Sequence, residues 1–104
     1  MSDKLDRQGK PLDLMEWAAK MEDASYKRIA RTTVGEAEVS TVWLGLDHSF
    51  GHGSPLIFET MIFGGPHDQW QDRYSTEAQA EAGHLRVVEA LQRGESPEAP
   101  CPTD

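Results

Sequence analysis

"LIFETMIFG", residues 56–64, is the stretch on which the fold turns. Read as an extended strand, it sends alternate side chains to opposite faces. Leu56, Phe58 and Ile62 then share one side, while Ile57, Met61 and Phe63 share the other. Apolar residues on both sides imply a strand covered on both faces. Upstream, "VSTVWLGL" (39–46) and "KRIARTTV" (27–34) are two further β-rich runs, joined by the turn signal "GEAE". Lys27, Arg28 and Arg31 in the first of these suit an edge strand.

The flanking segments read as helices. In "PLDLMEWAAKMED", Asp13 can cap a helix and Glu16 completes a capping box, with Leu14, Trp17, Ala18 and Met21 on one stripe. "STEAQAEAGHLRVVEALQR" (75–93) starts at Ser75 or Thr76, and the Thr76 register pairs with Gln79 in a second box. Its expected inward stripe is Ala78, Ala82, Leu85 and Val88, broadened by Val87 and Leu91, and Gly94 ends it. Gly83 within it predicts close packing of the helix on the sheet. "GGPHDQWQDRY" (64–74) reads as a loop, because adjacent Gly and Pro break regular structure.

The predicted fold is therefore α+β: a three-stranded antiparallel meander packed on a C-terminal helix, with a short N-terminal helix. Residues 1–10 are expected to be a flexible arm, 11–94 a single domain, and 95–104 a disordered tail. Trp43, Phe58, Ile62 and Leu85 are expected in the core. The C-terminal helix should cover one sheet face, and the N-terminal helix or a second subunit the other. The protein is thus expected to be a monomer or a homodimer.

Composition narrows the function. A chain of 104 residues is one domain's length, and folding buries roughly 60–70% of the surface that such a chain exposes. Ten Lys and Arg against eighteen Asp and Glu give a formal charge of −8, which repels phosphate backbones and argues against non-specific nucleic-acid binding. Cys101 is the only cysteine, so no intrachain disulfide is expected. No apolar run approaches a membrane span and the N-terminus lacks a signal-peptide core, so a cytoplasmic location is expected.

The chemically suggestive stretch is "GLDHSFGHGSP" (45–55). His48 and His52 stand four apart, but Gly51 and Gly53 oppose the helix that would give this spacing metal-site geometry. If a metal were bound, Asp47, His48 and His52 would hold it; the expectation is no metal and no cofactor. His67 and Asp68 belong to the connection after the next strand, which an antiparallel meander places at the opposite end. Ser49 and Ser54 lack the strand-to-helix elbow of a serine nucleophile, so an enzyme is not expected. The stretch reads first as a glycine-eased connector in which Asp47 bonds nearby amides, and second as a recognition loop. Asp47, His48, Phe50 and His52, with Trp70 in the next loop, are the candidate binding residues. Glu59, within an apolar strand, calls for a cross-strand partner such as Arg28 or Arg31, or for an exposed position on the sheet, and His84 is expected at the surface or boundary of its helix.

The blocks "VSTVWLGLDHSFG", "PLIFETMIFGG", "RYSTEAQAEAGH" and "VVE", in that order over residues 39–89, resemble a family of small uncharacterised proteins encoded by tailed phages. The resemblance implies work in an infected bacterial cytoplasm and carries no catalytic or binding residue. The expected function is a small acidic protein that binds a host or phage protein and modulates it by occlusion. The alternatives are a small-molecule or metal-binding protein built on Asp47, His48 and His52, and a structural or assembly component.

Overall fold

The computed structural model describes residues 4–49 and 53–97. Helices α1 (Leu14–Met21) and α2 (Ala24–Lys27) lead into strands β1 (Arg28–Val34), β2 (Ala37–Trp43), β3 (Phe58–Phe63) and β4 (Gln71–Tyr74), and helix α3 (Glu77–Gln92) follows. The strands form one antiparallel sheet in the order β1-β2-β3-β4. The α+β class, the meander and the C-terminal helix agree with the sequence reading.

The strand count does not: the expected three strands are four. β4 lies in the stretch read as a loop, and "QDRY" lacks the apolar alternation that marks a strand. It is a short edge strand, polar because only Tyr74 turns into the core. Its pairing satisfies the backbone of β3, which would otherwise be an apolar edge.

Local chemistry explains the element ends. Asp13 accepts the amide of Glu16 at 2.8 Å while Glu16 reaches back to the Asp13 amide. Thr76 and Gln79 do the same for α3. Gly35, at φ 58°, and Glu36 make the two-residue turn between β1 and β2. A left-handed residue matches the twist of such a hairpin.

Val39, Thr41, Trp43, Phe58, Thr60 and Ile62 turn one face of the sheet toward α3 and are fully buried. Two apolar clusters lie there: Trp43, Ile57, Phe58, Tyr74 and Ala80 at one end, and Val39, Ile62, Val87 and Val88 at the other. Trp43, Phe58 and Ile62 are core as expected, but Leu85 is 61% exposed. The inward face of α3 is Ala80, Gly83, His84, Val87, Val88 and Ala90: Val87 and Val88 are inward as expected, but Ala80, Gly83 and His84 stand where Ala78, Ala82 and Leu85 were expected. Small residues win this face because the helix lies close on the sheet. A Cβ at Gly83 would overlap the Tyr74 ring. Gly83→Ala should therefore cost about 2–3 kcal/mol in overpacking, which exceeds the ~1 kcal/mol gain in helix propensity and leaves a net loss of about 1–2 kcal/mol. An unchanged urea midpoint would contradict this packing.

Residues 4–10, expected to belong to a flexible arm, lie against the sheet together with Pro11 and Leu12. Lys4 bridges to Leu46 and Leu5 to Pro11, and Leu5 and Leu12 are buried in the first cluster. The Trp43 indole donates to the Leu5 carbonyl at 2.9 Å. Arg7 forms a two-pronged pair with Glu77 at 2.8 and 2.6 Å, tying this segment to the first turn of α3. Trp17 and Met21 of α1 pack on the same cluster, whereas Leu14, expected in their stripe, is 63% exposed. α1 thus sits at the Trp43 end of the face that α3 already covers. The expectation that it covers the second face is not met.

Candidate functional site

The loop after β2 is organised by Asp47. One of its carboxylate oxygens accepts the amide of Ser49 at 2.8 Å and that of Leu56 at 3.0 Å, joining the start of the connection to its end. The amide of His48 donates to the Leu56 carbonyl at 2.9 Å. These donors, chiefly the Ser49 amide, hold the Asp47 carboxyl below its ordinary range. Asp47 therefore acts on its own backbone, as in the connector reading. His48 is half-buried beside it, and Phe50 and His52 lie outside the described residues.

His67 and Asp68 stand at the other end of the sheet, beside the β1–β2 turn. There Asp68 accepts the Gly64 amide at 2.7 Å, and His67 helps line a cleft of about 150 Å³ between Val34, Pro66 and Leu91. Among the described residues, no group of three or more His, Cys, Asp or Glu is placed to hold a metal. Trp70 is half-buried and packs with Val34 and Leu91 against the second cluster. Glu59 has its cross-strand partner, but it is Arg73 of β4, at 3.1 Å. With "QDRY" read as a loop, that partner was invisible.

The feature missed by sequence reasoning is His84. It is 2% exposed, not at the surface, and its imidazole spans the core between two strands. Nε2 is 2.8 Å from the Thr32 hydroxyl and Nδ1 is 2.8 Å from that of Thr41. Thr41 in turn meets the Thr60 hydroxyl at 2.5 Å. The Tyr74 hydroxyl is buried nearby without a hydrogen bond of good geometry. Burial raises its pKa, and Thr60 opposes the rise. Available signals were the i, i+3, i+4, i+7 spacing of Ala80, Gly83, His84 and Val87, and threonines in alternating positions of three strands.

Burial lowers the pKa of His84 below 6.5, because an imidazolium there would lose its hydration. The unfolded chain then takes up the proton before the folded one does. Stability should hold above about pH 6.5 and fall below it, by at most ~1.4 kcal/mol per pH unit until the folded pKa is reached. Urea midpoints from pH 7.5 to 5, compared with His84→Gln, measure this contribution. Equal pH slopes in the two proteins would remove it.

The second sheet face carries three cross-strand rows. Arg28, Val42, Glu59 and Arg73 form one, Arg31, Ser40, Met61 and Gln71 the next, and Thr33, Glu38 and Phe63 the third. Val42, Met61 and Phe63 make an apolar diagonal across the middle, and none of them belongs to either core cluster. The pairs Arg31–Glu38 at 2.5 Å and Arg73–Glu59 at 3.1 Å flank it. Among the described residues no helix packs on this face, and Phe63 is 48% exposed. An apolar centre within a charged rim is the anatomy of a protein-binding surface. No helix among the described residues is long and apolar enough to cross a membrane.

Compared with family models, curated proteins and solved structures, the chain matches none.

Proposed function

We propose that this is a small acidic binding module of the tailed-phage type, which docks on a host or phage protein in the bacterial cytoplasm and modulates it by occlusion. The observation that carries the reading is the uncovered sheet face, with Val42, Met61 and Phe63 inside a rim of paired charges. The net charge of −8 favours a basic partner surface around that contact. The loop that carries Asp47, His48, Phe50 and His52 is a second recognition element in this reading, with Trp70 at the opposite end. A metal or small-molecule role for that loop has less support, since Asp47 already serves two backbone amides.

The test is capture from a bacterial lysate by the wild-type chain, by Phe63→Glu and by Leu85→Glu. Leu85 is an exposed apolar residue on the outer side of α3. Loss of the captured protein with Phe63→Glu alone supports the face as the docking surface. Equal capture by all three proteins, with both variants folded, would exclude it.

A further inference from the structure

The open face is too small to be a whole interface. Four strands ~4.8 Å apart and three rows of side chains span roughly 300 Å², less than half of the ~800 Å² per partner of a standard interface. A partner must continue beyond it, and the sheet offers an edge where it can. β1 is a seven-residue outer strand, longer than the four-residue β4 on the opposite edge. Val34 and Ala37 close a two-residue hairpin. In such a hairpin the closing pair exchanges both hydrogen bonds, so alternate residues Val34, Thr32 and Ala30 turn their backbone groups toward β2. The N–H and C=O groups of Arg31 and Thr33 then point outward, and no described backbone group bonds to them.

Charge sets the kind of strand that fits. In a chain of eighteen acidic residues, β1 has none, and Arg28 and Arg31 both rim the open face along this edge. Arg28 makes no ion pair among the described residues. A second copy adding its own β1 would set arginines against arginines, which disfavours pairing. Asp72, on the copy's β4, stands in register with buried Thr60 and so belongs to the helix-covered side. We propose that the β1 edge takes up an extended acidic segment of a partner protein as a fifth, antiparallel strand. Its backbone bonds to Arg31 and Thr33, and its acidic residues, at alternate positions, face Arg28 and Arg31. This rests on the binding-module reading in taking a protein partner that continues past the open face, but its backbone contacts are with the β1 edge and not with Val42, Met61 or Phe63.

The probe is a synthetic ten-residue peptide with Glu at every second position between Val and Thr, added to the full-length protein at low salt and followed by amide NMR. The comparison peptides replace Glu by Lys, or methylate alternate backbone nitrogens. We expect the Glu peptide to shift and protect the amides of Arg31 and Thr33. The Lys peptide should bind roughly tenfold more weakly or worse, and Arg28→Glu/Arg31→Glu should reverse the preference. Phe63→Glu should bind the Glu peptide unchanged, so strand addition can fail while the face stands, or the reverse. Equal binding of the methylated peptide would reduce the contact to charge attraction and overturn the proposal. So would a wild-type protein that sediments as a dimer with Arg31 and Thr33 already protected, or shifts confined to other residues.

Discussion

Phe58→Ala is expected to cost about 3–5 kcal/mol, the range for removing a buried aromatic side chain. Phe58 is wholly inaccessible and stands in one cross-strand row between Trp43 and Tyr74. Ala80 of α3, with Leu5 and Leu12 from the N-terminal segment, completes the same cluster. Every element around the cavity is fixed elsewhere: Trp43 by its bond to Leu5, Tyr74 by the sheet and by Gly83 above it. Collapse into the space is therefore limited, which places the cost toward the upper end. Urea denaturation of the two proteins measures it. A variant with the wild-type midpoint would mean that Phe58 is not the centre of this core.

Deleting residues 1–22 should have an effect of the same order. It removes Leu5 and Leu12, each worth roughly 1.5–3 kcal/mol of burial. It also strips Trp17 and Met21 from the first cluster and takes Arg7 from Glu77. The Trp43 indole N–H loses its acceptor, which costs about 1–3 kcal/mol if it stays buried. Domains of this size have only about 5–15 kcal/mol in hand, so the truncated chain should be near or below the unfolding threshold. Thermal melts and sedimentation of the two chains check this. A truncated monomer that melts with the full-length chain would mean that the segment is ornamental.

The sequence disclosed what is local. Both capping boxes, the β1–β2 turn and the inward residues Trp43, Phe58 and Ile62 follow from nearest-neighbour chemistry and strand period. β4 was hidden because its reason for being a strand is the edge of β3, not its own side chains. The first half of the α3 face was hidden, though Val87 and Val88 were read, because Leu85 outweighs Gly83 and His84 on any hydrophobic count, while the close approach of helix to sheet selects the small residue. Residues 4–12 were hidden because two leucines among charged neighbours carry no periodicity. At the candidate site, the role of Asp47 was legible from its Asx-type position. The uncovered face was half legible: of Ile57, Met61 and Phe63, read as its apolar residues, the last two face it, but Ile57 precedes β3 and is buried in the first core cluster, and nothing showed that α1 leaves the face bare.

The threonine–histidine bridge carries a consequence for how this chain can drift. Thr32 and Thr41, from two strands, bond His84 from the helix, and Thr60, from a third, bonds Thr41, so four distant codons encode one arrangement. A lone change at any of them strands a hydroxyl or an imidazole in an apolar interior, whereas an all-apolar set of similar volume would leave none behind. Substitutions there should be inherited in blocks. Diverging copies of this sequence should keep Thr, Thr, Thr and His together or lose them together, long after the surface positions around them have been randomised.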